Sequence, residues 1–302
     1  MKFSVSWPGS IALRLALPFI ISVAMGTVLF LPAYLANRKI SSGMKKASKA
    51  PGLQISLLHL VQNQTSSLEV VSADWMEENT IPTLRLTLKN NSPDQVLTAF
   101  AIAGRDPNSW GGVEFLFSES PASVIKPGAL FTKDFGWKDL TQPIIIKCAI
   151  FGESSFEGDS RQASNFINER FGTKILLAKV LPELQSLRET TDGNELVSKV
   201  LAISDRVGSL PNPTEEDLLP CLDKLVEPPN RLGTIEGQVE MGFRYGKQYV
   251  LERLKSVIED RQRLIRNGFG GNQADREENA NLFFKTQIER SIRRFEGMKN
   301  AR

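Results

Sequence analysis

The chain has 302 residues, 41% apolar and 24% charged, with a formal net charge of +3. That is a globular composition without a field strong enough to draw nucleic acid to it. Two cysteines, Cys148 and Cys221, exclude a dense disulfide scaffold and a four-cysteine zinc site, and a lone histidine, His59, excludes a two-histidine metal site.

The chain reads as an α+β protein in four parts: an N-terminal transmembrane anchor (1–37), a basic juxtamembrane linker (38–52), a β-sandwich (53–151) and an α-helical module (152–302). Leu15 to Asn37 carries no charged residue. About 20 such residues match a hydrocarbon core of ~30 Å at the helical rise. Pro18 and Pro32 sit near its ends, and Arg14 lies just outside it. A cleaved signal peptide is the competing reading. Ala24-Met25-Gly26 would cut in the middle of the apolar run, and cleavage after Ala36 puts Tyr34 where a small residue is wanted. A retained signal-anchor is therefore expected, with the lipid bilayer as partner through residues 15–37.

Orientation is contested. Arg38, Lys39, Lys45, Lys46 and Lys49 follow the span, which favours a cytoplasmic C-terminal part. Long domains translocate largely regardless of charge, and an N-terminal apolar segment is the usual export signal, so an extracytoplasmic bulk is the expectation.

From Leu53 to Phe151 the period is two. Leu84, Leu86 and Leu88 alternate with Arg85, Thr87 and Lys89. Strands are expected at 53–61, 68–75, 84–89, 96–102, 112–117, 129–135 and 144–151. They are separated by turn chemistry such as Asn90-Asn91-Ser92-Pro93-Asp94 and Lys126-Pro127-Gly128. Short strands at this spacing predict an antiparallel sandwich, with Leu84/Leu86/Leu88 and Ile144/Ile146/Cys148/Ile150 as inward rows. His59, between two leucines, is expected to be a structural strand residue.

The run Leu86-Thr87-Leu88-Lys89-Asn90-Asn91-Ser92, followed by Asp94-Gln95-Val96-Leu97-Thr98-Ala99-Phe100, resembles the immunoglobulin-like sandwich modules of bacterial membrane-anchored envelope proteins. The resemblance covers about a third of the chain. It implies a binding or assembly role and carries over no functional residue.

Glu153, Glu157 and Asp159 suggest oxygen ligands for calcium, but their spacing fits no EF-hand loop. Asp159 with Gln162 three residues on reads instead as a helix cap. A helical stripe follows: Ala163, Phe166, Ile167, Phe171, Ile175, Ala178 and Leu181, ended or kinked at Pro182. Further helices are expected at 195–207, from Thr214 through Leu225, at 232–267 and at 274–299. Thr214 and Asp217 form a starting cap. In the long helix, Gly233/Gly237 and Gly242/Gly246 imply either close approach of another backbone or a break near Gly246. Phe284, Ile288, Ile292, Phe295 and Met298 line one face of the last helix, and Glu289–Arg293 has the favourable i,i+4 order.

The leading functional expectation is a non-catalytic envelope protein that binds an unknown protein partner, with no catalytic residue, metal or cofactor assigned and no nucleic acid expected. The alternatives are an enzyme using carboxylates among Asp74, Glu77, Glu78, Glu153 and Glu157, or a cytosol-facing adaptor using the basic C-terminal helix. Cys148 is expected inside the sandwich and Cys221 under the helices, both as buried thiols.

Overall fold

The computed structural model describes residues 54–78, 81–104, 110–115, 124–137, 141–229, 233–268 and 272–300. The proposed anchor at 15–37 and the linker at 38–52 lie outside the described residues. The described residues form a mixed α+β unit of antiparallel sheets and helices.

Strands β1 (Gln54–Ser56), β2 (Val61–Asn63), β3 (Leu68–Glu78), β4 (Ile81–Asn90), β5 (Leu97–Ala103), β6 (Trp110–Glu114), β7 (Leu130–Gly136), β8 (Ile144–Phe151) and β9 (Ser155–Gly158) make two sheets. One has the order β1-β3-β4-β7, the other β2-β8-β5-β6, with β9 also on β8. Strand pairs are antiparallel except β2 with β8, which is parallel. The free side of β8 is shared: β2 pairs with Ile144–Ile146 and β9 with Cys148–Phe151. The expected first strand is interrupted, because Leu58–Leu60 is a 3-10 turn. His59 sits exposed in that turn rather than in a strand.

Alternation in β4 places Leu84, Leu86 and Leu88 in the core with no exposed surface. On the outer face Arg85 meets Asp134 at 2.8 Å and Thr87 meets Thr132 at 3.2 Å, both on β7. The two sheets face each other over a core that includes Leu84, Leu86, Leu88, Phe100, Ile144 and Ile146. Phe100 on β5 stacks edge-on to Phe131 and Phe135 on β7, each at 6.2 Å between centroids, which ties one sheet to the other.

The expected row Ile144/Ile146/Cys148/Ile150 is broken by the fold. The pairing of β5 with β8 shifts register between Ala101 and Ile102, where Lys147 is the extra residue. One extra residue reverses every later side chain. Ile144 and Ile146 face the sandwich core, whereas Ala149 and Phe151 take that face afterwards, and Ile150 joins a separate cluster against the helices. Cys148 therefore lies on the helix-facing side with Ile150, not inside the sandwich. Gly158, with φ +87°, closes β9 over the bulge, where a Cβ would overlap the carbonyl oxygen of Lys147.

The helices are α1 (Ser160–Ser186), α2 (Gly193–Ser209), α3 (Glu215–Leu218), α4 (Ile235–Asn267) and α5 (Gln273–Asn300), with a 3-10 segment, Leu219–Lys224, after α3. Asp159 caps α1, accepting from the backbone N–H of Arg161 and Gln162 at 2.9 and 3.3 Å. Pro182 lies inside α1 without ending it. The residue four before it, Ala178, is on the exposed face, so the carbonyl left without a donor is open to water. Ala178 thus leaves the predicted stripe, and the buried face runs through Leu176, Leu177, Val180, Leu181 and Leu184.

Helix α4 runs unbroken through Gly246. Its core face, including Val250, Leu254 and Val257, packs with Phe284, Ile288, Ile292, Phe295 and Met298 of α5. Gly233 precedes the helix in a positive-φ turn, and among the described residues a Cβ there would meet only the end of the Gln238 side chain, at 4.0 Å.

Candidate functional site at the sheet–helix junction

The chemistry of the described residues concentrates where β5, β6 and β8 meet α1 and α4. Helix α1 lays Ala163, Ile167 and Phe171 on Ala99 and Ile150, with Cys221 in the same small cluster. Three residues after Ile167, still on that stripe, is Arg170, only 1% exposed.

Arg170 is fully engaged. Its Nε donates to Glu114 Oε2 at 2.5 Å and its Nη2 to Oε1 at 3.1 Å, a two-pronged pair with the last residue of β6. Nη1 reaches the carbonyls of Gly152 and Glu153 at 3.3 and 3.2 Å, and Nη2 reaches Thr98 Oγ1 at 3.1 Å. Thr98 sits at the second register shift in β5, between Leu97 and Ala99. The bulge turns its hydroxyl toward Arg170 and the carbonyls of Ile150 and Gly152. Both irregularities of the second sheet thus serve the junction.

Glu153 accepts from Lys174 Nζ at 2.6 Å and Lys224 Nζ at 2.7 Å. Burial pushes its pKa up, but the two lysines outweigh burial and hold it below the usual carboxylate value. Burial also lowers the pKa of Lys174 despite that partner. Asn168 donates from Nδ2 to the Val226 carbonyl at 2.7 Å and to Gln238 Oε1 at 2.6 Å, and accepts from the Val226 N–H at 2.9 Å. It binds the segment after the 3-10 turn and the start of α4 to α1.

The α1–α4 contact is a backbone contact. A Cβ at Gly172 would overlap the Val239 carbonyl oxygen, and one at Gly242 would overlap that of Glu169. Thr173 Oγ1 donates to the Gly242 carbonyl at 2.9 Å. Of the two readings of the glycine pairs, close approach holds for Gly242 and Gly246, the latter against Thr173 and Leu176.

Glu169 stands apart from this network. Among the described residues no hydrogen bond or ion pair reaches its carboxyl. Burial, and then the neighbouring charge of Glu114, push its pKa up to about 7. Tyr245 on α4 is raised too, by burial and by the charge of Glu169.

The carboxylates singled out from sequence do not converge here. Asp74 lies on β3 opposite Arg85 in register. Glu77 and Glu78 end β3, and their side chains lie outside the described residues. Glu157 accepts from the N–H groups of Ser66 and Ser67 at 2.8 Å and from Ser67 Oγ at 2.5 Å, stitching the β2–β3 loop to β9. Burial opposes its ionisation, and these donors hold its pKa low. Asp159 is the helix cap. Among the described residues no three His, Cys, Asp or Glu side chains are grouped as metal ligands would be.

Cys148 and Cys221 are buried free thiols, Cys148 pushed up by burial to about 12. Sequence reasoning missed Arg170, Glu114 and Glu169. The available signal was a charge on an apolar stripe, since Arg170 follows Ile167 by three and precedes Phe171. No helix among the described residues is long and apolar enough to cross a membrane. Comparison with known proteins returns no match to a family model, to a curated protein or to a solved structure.

Proposed function

We propose that the chain is a non-catalytic, single-pass membrane-anchored envelope protein, exported so that the sandwich and helices lie outside the cytoplasm and bind or assemble with a protein partner. The observation that carries this reading is the use made of the charged side chains at the sheet–helix junction. Arg170, Glu114, Glu153, Lys174 and Lys224 are spent on holding sheet to helix, the work of a rigid adaptor. The uncharged run at 15–37 supports the anchor. An immunoglobulin-like reading of the sandwich draws support from the facing sheets and from an N-terminal strand divided between them, β1 in one and β2 in the other. The hairpin of β3 and β4 within one sheet departs from the usual ABED/CFG division.

Alkaline extraction of membranes tests the anchor. The full chain should stay in the pellet and a deletion of residues 15–37 should be released; release of the full chain would refute it. Protease treatment of spheroplasts tests the orientation. A C-terminal tag should be digested, whereas protection would favour the cytosol-facing adaptor that uses the basic face of α5.

A further inference from the structure

Two leucines stand out in water on the 3-10 turn after α3. In such a turn, residues three apart lie above one another. Leu218 and Cys221 share the buried side, whereas Leu219 and Leu222 share a side that is 64% and 53% exposed. Pro220 between them is exposed as well. The display is held firmly. Cys221 sits in the cluster with Ile167 and Phe171 of α1, Asp217 pairs with Lys179 at 2.7 Å, and Lys224 pairs with Glu153 at 2.7 Å. Asn168 binds both the N–H and the carbonyl of Val226. Leucines fixed in this way, roughly 6 Å apart along the turn, lose little freedom when a partner covers them.

Acids surround the pair. Glu215 and Glu216 precede it, and Asp223 and Glu227 follow it. All four are exposed, with no ion-pair partner among the described residues. This charge discriminates between the possible occupants. A second copy docked on the same face would set these carboxylates against themselves, because an isologous contact repeats each patch. An anionic lipid surface would meet the same repulsion. A segment with apolar residues flanked by lysine or arginine complements both features. A helix brings its i and i+3 or i+4 side chains to ~5–6 Å, the spacing of the two leucines.

We propose that Leu219 and Leu222 form a docking surface for a basic amphipathic helix of a partner protein. The apolar stripe of that helix covers the two leucines, and its lysines or arginines face Glu215, Glu216, Asp223 and Glu227. The inference rests on the binding role proposed above and adds to it a surface and the partner's chemistry; it needs neither the anchor nor the orientation.

The probe is a synthetic helix with leucines at i, i+3, i+4 and i+7 and lysines at its other positions. It is titrated onto the full-length protein in zwitterionic nanodiscs, with empty nanodiscs as the blank. Binding should saturate, weaken with added salt and protect the stretch 214–227 from hydrogen exchange. The same helix with glutamate in place of lysine should not bind. Leu219→Ser with Leu222→Ser should weaken binding about tenfold or more. Glu216→Gln with Asp223→Asn should weaken it about threefold. No saturable binding, binding undiminished by the leucine substitutions, or protection of another part of the chain instead would overturn the assignment of this surface. The wider binding role would survive that result, because it does not depend on where the partner sits. Self-association of the wild type that the leucine substitutions abolish would also overturn the proposal, by making a second copy the occupant. Binding of vesicles rich in anionic lipid through the same leucines would do so as well.

Discussion

The sandwich interior and the sheet–helix junction are held by opposite means. Between the sheets, leucines, isoleucines and phenylalanines at alternate positions bury apolar surface, each fully buried side chain contributing ~1.5–3 kcal/mol. At the junction the apolar cluster is small and the contact is fixed by an arginine, a threonine on a bulge, two lysines on one carboxylate and glycines at a helix crossing. An apolar core adapts to conservative exchange, because volume and pattern are most of what it requires. A buried polar network does not, because each lost partner leaves another group desolvated and unpaired. The junction should therefore be the brittle part of the molecule, although the sandwich buries more.

The sharpest break of this contrast is Arg170→Met. It removes the donor set for Glu114, Thr98 and two carbonyls and should cost about 3–5 kcal/mol by urea unfolding. Leu86→Met in the sandwich should cost less than ~1.5 kcal/mol in the same assay. Equal losses would dissolve the distinction. Gly242→Ala comes next: the added methyl meets backbone, which cannot rotate away, so a loss of at least ~1–3 kcal/mol is expected. Gly136→Ala, where a Cβ meets nothing within 4 Å, should be close to neutral and serves as the control.

Glu157→Gln sharpens the comparison from the sandwich side. It weakens charge-assisted bonds to the Ser66–Ser67 turn and should cost ~1–2 kcal/mol at pH 7. The pKa of Glu157 is lowered, so its contribution is full above the unfolded value of 4.5 and is lost as pH falls through the folded value. The difference between wild type and variant should shrink below about pH 4. The smallest effect is expected at Arg188, which pairs with Glu289 and Glu296 on α5 but is substantially exposed. Arg188→Ala should change the unfolding free energy by less than ~1 kcal/mol, and less still in high salt.

Regular periodicity made much of the fold legible. Leu84/Leu86/Leu88 marked β4, Phe284 to Met298 marked the buried face of α5, and Asp159 and Thr214 marked helix starts. What stayed hidden depends on pairing between distant segments. The bulge at Lys147, which moved Cys148 and Ile150 to the helix side, exists only against β5. β9 was missed because Ser155–Gly158 has no period of its own and forms against β8. His59 was misplaced because a turn of three residues interrupts an otherwise strand-like run. Of the carboxylates chosen as candidate chemistry, Glu153 and Glu157 became structural acceptors. The groups that matter at the junction were inconspicuous, since a Glu-Arg pair inside an amphipathic helix reads as solvated surface until β6 supplies Glu114.

A double-mutant cycle between Arg170 and Glu114 tests the central claim most directly. Arg170→Met, Glu114→Gln and the double variant would be compared with the wild-type full-length protein by urea unfolding. If this pair fastens helix to sheet, the coupling energy should be about 2 kcal/mol or more, with the double variant far less impaired than the sum of the singles. A coupling below about 0.5 kcal/mol would contradict the account, placing the strength of the junction in its apolar cluster instead.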